Sequence, residues 1–313
     1  MATDLTAVES SLLSSISADG EPMAGPMSDL FLAGGKRLRP ALVLLFARMG
    51  EYDMRRLEPA AMAVELTHAA TLVHDDVIDR SPVRRGRPTA VSTLGEARAI
   101  VVADFYFAKA YLEASRCGAE VVAVLARAVM QICAGELMQQ DSLHHYRGPV
   151  SRYLRRIEQK TASLVSASCE IGALEAGLPA SARRSAAHYG RELGMAFQIT
   201  DDVLDYMGAS AEMGKPVGHD LAEGNATLPL LLALRDPGVA ARLEPMLVEG
   251  RTLSGDEAAA VVEIVRPTSG PALALDRART LAAAARGRLE QLPAGEARDC
   301  LDALAAYVVE RRI

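Results

Sequence analysis

The sequence predicts an all-α protein. Nearly every long segment repeats its apolar residues at intervals of three and four, and no segment sustains the period-two alternation of a half-buried strand. Composition agrees. Aromatics are only 4% of the 313 residues and Trp is absent, while Ala, Leu, Arg and Glu are abundant; a sandwich or barrel would be richer in Val, Thr and aromatics. Half of the residues are apolar and 24% are charged, which suits a globular chain with ample core material. With no fixed-period repeat and no low-complexity linker, residues 1–313 read as one all-α domain.

The elements follow in order. Leu5–Ile16 reads as a short first helix, and Ser17–Pro26, polar with Gly and Pro, as a loop. Pro40 suits the first turn of the next helix. Glu58–Val77 is helical, with Ala60, Val64, Thr67 and Thr71 near one face. Asp79–Thr89 holds Pro82, Gly86 and Pro88 and reads as a loop. Ser92–Arg116, Val121–His144 and Ser151–Leu174 each carry helical periodicity, with a stop at Gly177 and Pro179. Ala182–Tyr206 is helical, Gly208–Thr227 is a long loop, and Pro229 starts another helix. Asp256–Arg312 is helical with breaks at Pro267–Pro271 and Pro293.

Lys plus Arg number 34 against 40 Asp plus Glu, a net charge of −6. That argues against a nucleic-acid binder and leaves room for a local basic pocket. Cys117, Cys133, Cys169 and Cys300 form no CxxC pair and read as reduced residues of a cytoplasmic protein. The start MATDLTAVESS shows no secretory pattern. Apolar runs such as Ala41–Ala47 fall far short of the roughly 20 residues that span a bilayer, so no transmembrane segment is expected.

Chemistry concentrates in four places. His74-Asp75-Asp76-Val77-Ile78-Asp79 ends a predicted helix. Positions i and i+4 share a helix face, so Asp75 and Asp79 present two carboxylates with Asp76 beside them. Such a triad invites Mg²⁺, which takes one or two carboxylates and completes its shell from water and phosphate oxygens. Alone, it is equally what a solvated acidic helix end looks like. Asp201, Asp202 and Asp205 repeat the spacing within an apolar helix, where carboxylates are rarely buried unless paired or metal-bound. Two such triads facing across a helical bundle would hold a Mg²⁺ cluster that binds and activates a diphosphate. Gly34-Gly35-Lys36-Arg37-Leu38-Arg39-Pro40 and Arg84-Arg85-Gly86-Arg87 are basic loops suited to phosphate, or ordinary solvated loops. Lys160-Thr161, with Lys215 and Asp220, is unremarkable by itself.

Taken in order, GGKRLRP, HAATLVHDDVIDRSPVRRGRPT, QKTA, FQITDDVLDY and GKPVGHDLAEGNATLPLLLAL resemble the trans-isoprenyl diphosphate synthases, or E-polyprenyltransferases. The resemblance runs from about Leu32 to Ala233, with weaker similarity to the end, and implies a single-domain helical bundle around a central cavity. It implies that Asp75, Asp76 and Asp79 bind Mg²⁺ and with it the allylic diphosphate, and that Asp201, Asp202 and Asp205 complete a cluster of about three Mg²⁺ ions. Asp75, Asp79 and Asp201 are the metal ligands to be expected. The resemblance further implies that Lys36, Arg39, His68 and Arg85 hold isopentenyl diphosphate. Arg84, Lys160, Thr161, Gln198 and Lys215 match positions at the allylic diphosphate, with Lys160 counted among the catalytic groups. The reaction implied is ionisation of the allylic C–O bond, attack by the isopentenyl double bond and loss of a proton. A homodimer and transient membrane contact for product release are implied as well. Two departures stand out: Asn225 replaces the lysine of the usual EGK, and His219 stands where lysine is common.

The growing chain needs an apolar tunnel beneath the first triad. Ala63, Thr67, Ala70 and Thr71 lie twelve, eight, five and four residues before Asp75, and none is aromatic. In the family an aromatic there commonly shortens the product. Twelve helical residues cover about 18 Å. A linear product of C30–C45 follows as the expectation, with Met62 or a bulky residue of Ala123–Met138, such as Met130, as the candidate floor. A geranylgeranyl or farnesyl diphosphate synthase is the rival. A class I terpene cyclase would not need Lys36, Arg39, His68 and Arg85, and a non-catalytic subunit of a heteromeric synthase would not need both triads.

Overall fold

The computed structural model describes residues 2–208 and 217–310. The helices are α1 (Ala2–Ser17), α2 (Ala24–Leu32), α3 (Leu38–Ala47), α4 (Met54–Ile78), α5 (Ala90–Leu94), α6 (Glu96–Ser115), α7 (Ala119–Gln140), α8 (Val150–Ile157), α9 (Ser163–Glu175) and α10 (Ala180–Met207). After these come α11 (His219–Ala222), α12 (Leu228–Ala233), α13 (Pro237–Leu243), α14 (Gly255–Val265), α15 (Ser269–Leu289) and α16 (Glu296–Glu310). Among the described residues the strands are two dipeptides, β1 (Val83–Arg84) and β2 (Arg87–Pro88), paired antiparallel as a hairpin. The fold is all-α, as the periodicity predicts.

Several boundaries differ from the sequence reading. Pro26 lies in the first turn of α2, where a missing N–H removes no intrahelical bond. Gly95, at φ 80°, separates α5 from α6 within the span expected as one helix. Pro271 likewise sits in the opening turn of α15, so the break falls just before Ser269. The expected loop after α10 contains α11, and Lys215 lies outside the described residues.

The chain divides into two compact units. The first comprises residues 1–129, 167–187 and 292–298. Helix α4 is its axis. Asp53 caps it by accepting from Arg55 N–H at 3.0 Å. From Pro59 to Thr67 every residue is buried, so the helix is enclosed on all sides there. It is polar at its start, at Arg55, Arg56 and Glu58, and turns polar again at His68 and from His74 onward. One face of α6 packs on α4 through Ala99, Val102, Ala103 and Tyr106. Its other face leaves Val101 and Leu112 exposed at 55% and 65%, with Phe105 and Ala108 on the same stripe.

The second unit comprises residues 130–166, 188–291 and 299–313. Its core gathers Tyr146, Tyr153, Ile199, Val203, Tyr206 and Leu221 with the apolar faces of α12, α14 and α15. Two glycines permit close approach to the segment Glu158–Ala162, a π-helical turn joining α8 to α9. A Cβ on Gly135 would strike the backbone nitrogen of Lys160, and one on Gly194 would lie 2.7 Å from Ala162 Cα. The periodicity reads this region as one regular helix; the π turn adds a residue to the coil there and rotates Lys160 and Thr161.

Helix α7 is apolar along much of its length. An 18-residue window averages a hydropathy of 1.7 and is only 28% buried. By length and composition it is long and apolar enough to cross a membrane. The run-based sequence reading passes over it because Arg127 and Glu136 interrupt the run. Met130 is 71% exposed and so is no tunnel floor, whereas Met62, at 4%, and Leu125, within the same candidate stretch as Met130, are enclosed.

Candidate active site

In the first unit, the end of α4 meets the two basic loops. Arg37 opens α3 with a left-handed backbone at φ 45° and turns inward. Its guanidinium donates to Glu9 at 2.9 Å, Glu65 at 3.1 Å and the carbonyl of Phe31 at 2.8 Å. Arg37 is thus a structural hub within the KRLR run. Burial raises the Glu65 carboxyl, and Arg39 and then Arg37 oppose that rise. Lys36 stays exposed on the loop.

Arg39 is different. Its Nε is buried and has no acceptor, and burial lowers its pKa. Desolvation also holds His68 well below the usual histidine range, aided by the charges of Arg39, Arg85, Arg84 and Arg37. Four guanidiniums therefore surround a neutral imidazole. Arg37 is already paired with Glu9 and Glu65, and Arg84 with Asp76, so the positive charge left to meet a bound anion is that of Arg39 and Arg85. The loops are tied together: Arg85, at φ 50°, donates to the carbonyl of Gly34. A side chain at Gly35 would meet the Arg85 and Arg37 guanidiniums at 3.0 and 3.3 Å. The structure thus brings Arg39, His68 and Arg85 together with Arg84, while Lys36 stays on the exposed loop.

His68 carries a stability consequence. Unfolded, it binds a proton near pH 6.5; folded, it resists one. Its contribution is complete above about pH 6.5 and is lost as pH falls toward the lowered folded value, because the unfolded chain then binds more protons. His68→Gln is expected to remove that acid sensitivity, up to about 1.4 kcal/mol per pH unit. Urea melts of both proteins at pH 5 and pH 7.5 measure it.

The three aspartates of the first motif are not equivalent. Asp76 is buried and accepts from Arg84 Nε at 2.8 Å; burial raises its carboxyl and Arg84 opposes the rise. Asp75 is half-buried and Asp79, the C-cap of α4, is exposed. Arg84, expected at a substrate, holds Asp76.

The second unit repeats the asymmetry. Asp202 is 2% exposed; it accepts from Tyr153 Oη at 2.5 Å and Gln198 Nε2 at 2.8 Å. Thr161 Oγ1 donates to Gln198 Oε1 at 3.0 Å. Thr161 and Gln198, expected at the diphosphate, thus form a relay onto Asp202. Burial is the main cause that raises the Asp202 carboxyl to about 6. Asp205 is buried and accepts the backbone N–H groups of His219 and Asp220, both at 3.2 Å, at the start of α11. Burial raises its carboxyl, against those same N–H groups. Asp201 is half-buried. Lys160 pairs with Glu136. Tyr153 and Glu136 are polar partners that the sequence reading passes over; Tyr153 lies seven residues before Lys160, two turns away, and its spacing is the only signal it gives.

The donor set suits a hard cation. Among the described residues no three His, Cys, Asp or Glu side chains form a group able to hold a metal alone. Within each motif the less buried aspartates, Asp75 and Asp79 in the first unit and Asp201 in the second, are the ones able to add an oxygen to an ion that keeps water and takes phosphate oxygens, as Mg²⁺ does.

The family model described as polyprenyl synthetase matches residues 21–265, a range with residues of both units. The chain is 40% identical over 316 residues to heptaprenyl diphosphate synthase component 2 of Geobacillus stearothermophilus, covering 99% of this chain and 97% of that protein. It is 36% identical to nonaprenyl diphosphate synthase of Mycobacterium tuberculosis, covering 93% and 87%. The crystal structure of a polyprenyl synthase from Caulobacter crescentus, complexed with calcium and isoprenyl diphosphate, superposes with a TM-score of 0.92 at 35% identity, covering 99% and 95%. The chain belongs to the polyprenyl synthetase family. It is a prenyltransferase, one that makes linear polyprenyl diphosphates.

Proposed function

We propose that this chain condenses isopentenyl diphosphate with an allylic diphosphate and elongates it to a linear trans product of C30–C45. The observation that carries the substrate reading is the guanidinium cluster around neutral His68, with Arg39 Nε lacking an acceptor. Arg39, His68 and Arg85 bind isopentenyl diphosphate there, with Lys36 reaching the same anion from the exposed loop. Asp75, Asp79 and Asp201 hold Mg²⁺ at the allylic diphosphate, about three ions per site. When bound, Mg²⁺ neutralises the charge that builds on the departing diphosphate. Asp76, Asp202 and Asp205 orient those ligands through their buried partners, while Lys160, with Lys215 from outside the described residues, adds positive charge for the leaving group.

The medium to long product is supported by the small residues before Asp75 and by relatives named for heptaprenyl and nonaprenyl products. The four cysteines are free, which fits the cytoplasm. The single-domain reading is supported by the family match, whose span draws on both units. Exposed apolar faces on α6 and α7 favour an oligomer, read as a homodimer. The Geobacillus relative's name, component 2, favours a second reading, in which a different subunit covers one of these faces and release of the product involves transient membrane contact.

One preparation tests both. Purified protein with Mg²⁺, isopentenyl diphosphate and each allylic primer is expected to give a ladder ending at one dominant length by mass spectrometry. Light scattering is expected to give twice 33.3 kDa. No elongation with any primer from folded protein would overturn the stand-alone synthase, and a monomer would favour the heteromeric reading.

A further inference from the structure

Behind Asp202 lies a buried cation that the motifs do not include. Tyr153 donates to Asp202, and three residues further along α8 the Arg156 guanidinium sits over the Tyr153 ring, 5.4 Å from its centroid. Arg156 donates to Asn225 Oδ1 and to the carbonyl of Ala226, both at 3.4 Å. Arg156 is 7% exposed, Tyr153 4% and Asn225 9%. Its acceptors are thus a neutral amide and a backbone carbonyl. A buried guanidinium in such company depends on every acceptor it has, and on whatever negative charge lies near. Asp202 is near enough to feel that charge, which opposes the effect of its burial.

Residue 225 is where this arrangement is most exposed to change. An asparagine offers a carbonyl oxygen to Arg156 and no charge. A lysine is donor-only; it would remove the acceptor and set an ammonium against a guanidinium already out of water. Asn225 also has its backbone fixed, donating to the carbonyl of Asp220 at 2.7 Å. Asp220 in turn donates its N–H to Asp205. Both buried aspartates of the second motif therefore connect to this pair, Asp202 through Tyr153 and Asp205 through the backbone of α11.

We propose that Arg156 and Asn225 form a charge-positioning pair for the second aspartate motif: Arg156 carries the cation, Asn225 is the neutral acceptor that seats it, and Tyr153 transmits its position to Asp202. The pair deepens the reading of that motif as a metal–diphosphate site and rests on it. Neither residue touches the reacting atoms. On this view Asn225 is the complement of Arg156, and the positive charge missing at position 225 resides at position 156.

A double-mutant cycle tests the pair, using Asn225→Lys, Arg156→Met and the two combined. Each protein is melted alone, then with Mg²⁺ and inorganic diphosphate, and assayed for elongation. Asn225→Lys is expected to lower elongation at least about tenfold and to shrink the ligand-induced rise in melting temperature. The combined variant, with one cation again, is expected to recover to within about threefold of the unaltered protein. Recovery of elongation together with the ligand-induced rise supports the pair; a purely structural contact also couples, so recovery confined to the ligand-free melting temperature would overturn the positioning role. Full activity in Asn225→Lys, or a combined variant no better than either single one, would overturn it. Should Asn225→Lys fail to fold, Arg156→Lys is compared with Arg156→Met: retention by the lysine variant alone supports the pair, and equal loss overturns it. Should the unaltered chain elongate no primer, the function reading falls. The rise in melting temperature with Mg²⁺ and inorganic diphosphate then still decides the pair, by its recovery or its loss in the combined variant.

Discussion

Replacing Asp75 by asparagine is expected to lower kcat/KM for elongation by about a thousandfold, close to 4 kcal/mol of transition-state stabilisation. The amide is nearly isosteric, so the fold should survive; what goes is one anionic oxygen ligand in the last turn of α4. Because Mg²⁺ uses few protein ligands, losing one charged ligand removes a large part of what the protein contributes. The neighbouring residue sets the contrast. Asp76 is buried against Arg84, so Asp76→Asn weakens a charge-assisted bond of about 1.5–3 kcal/mol and should lower the melting temperature as well. Steady-state kinetics across a Mg²⁺ titration, paired with thermal melts, separates the two. Asp75→Asn should demand more Mg²⁺ than Asp76→Asn does. Activity within tenfold of the unaltered protein would remove Asp75 from the ligand set.

The contrast between Asp75 and Asp76 shows where sequence reading stops. Spacing of i and i+4 placed Asp75 and Asp79 on one face of a helix end, and α4 with its cap at Asp79 has that geometry. The all-α class was equally legible, because helical periodicity reports the face that each helix must bury. Spacing says nothing about which carboxylate turns inward, since that depends on side chains distant in sequence. Arg84 on a hairpin strand and Tyr153 on α8 decide it for Asp76 and Asp202. The KRLR run shows the same limit. Lys36, Arg37 and Arg39 look alike as sequence, yet one is exposed, one ties together Glu9, Glu65 and Phe31, and one keeps an unsatisfied buried nitrogen. The π turn at Lys160 was invisible for a related reason: the glycines that admit it, Gly135 and Gly194, belong to other helices.

The other large effect expected is on product length. Ala70→Phe should convert a C30–C45 product into one of C20 or shorter. Ala63, Thr67 and Ala70 are fully buried, and Thr71 is half-buried. The hydroxyls of Thr67 and Thr71 bond back to the carbonyls of Ala63 and His68. This leaves their methyl groups as the surface presented sideways, so the stretch is apolar in effect as well as small. Burial by itself has two explanations, a channel for the prenyl tail or close packing against neighbouring helices. They differ in what a large ring does. In a channel, the ring of phenylalanine takes space that the tail would use, so the chain stops early and stability changes little. In a packed core, the same ring must push side chains off their rotamers, which costs about 1–3 kcal/mol. The melting temperature would then fall while any product kept its length. Mass spectrometry of the product and a thermal melt of the same sample therefore distinguish them. A shortened product at a near-normal melting temperature is the expected pair of results, and an unshortened product would remove Ala70 from the tunnel.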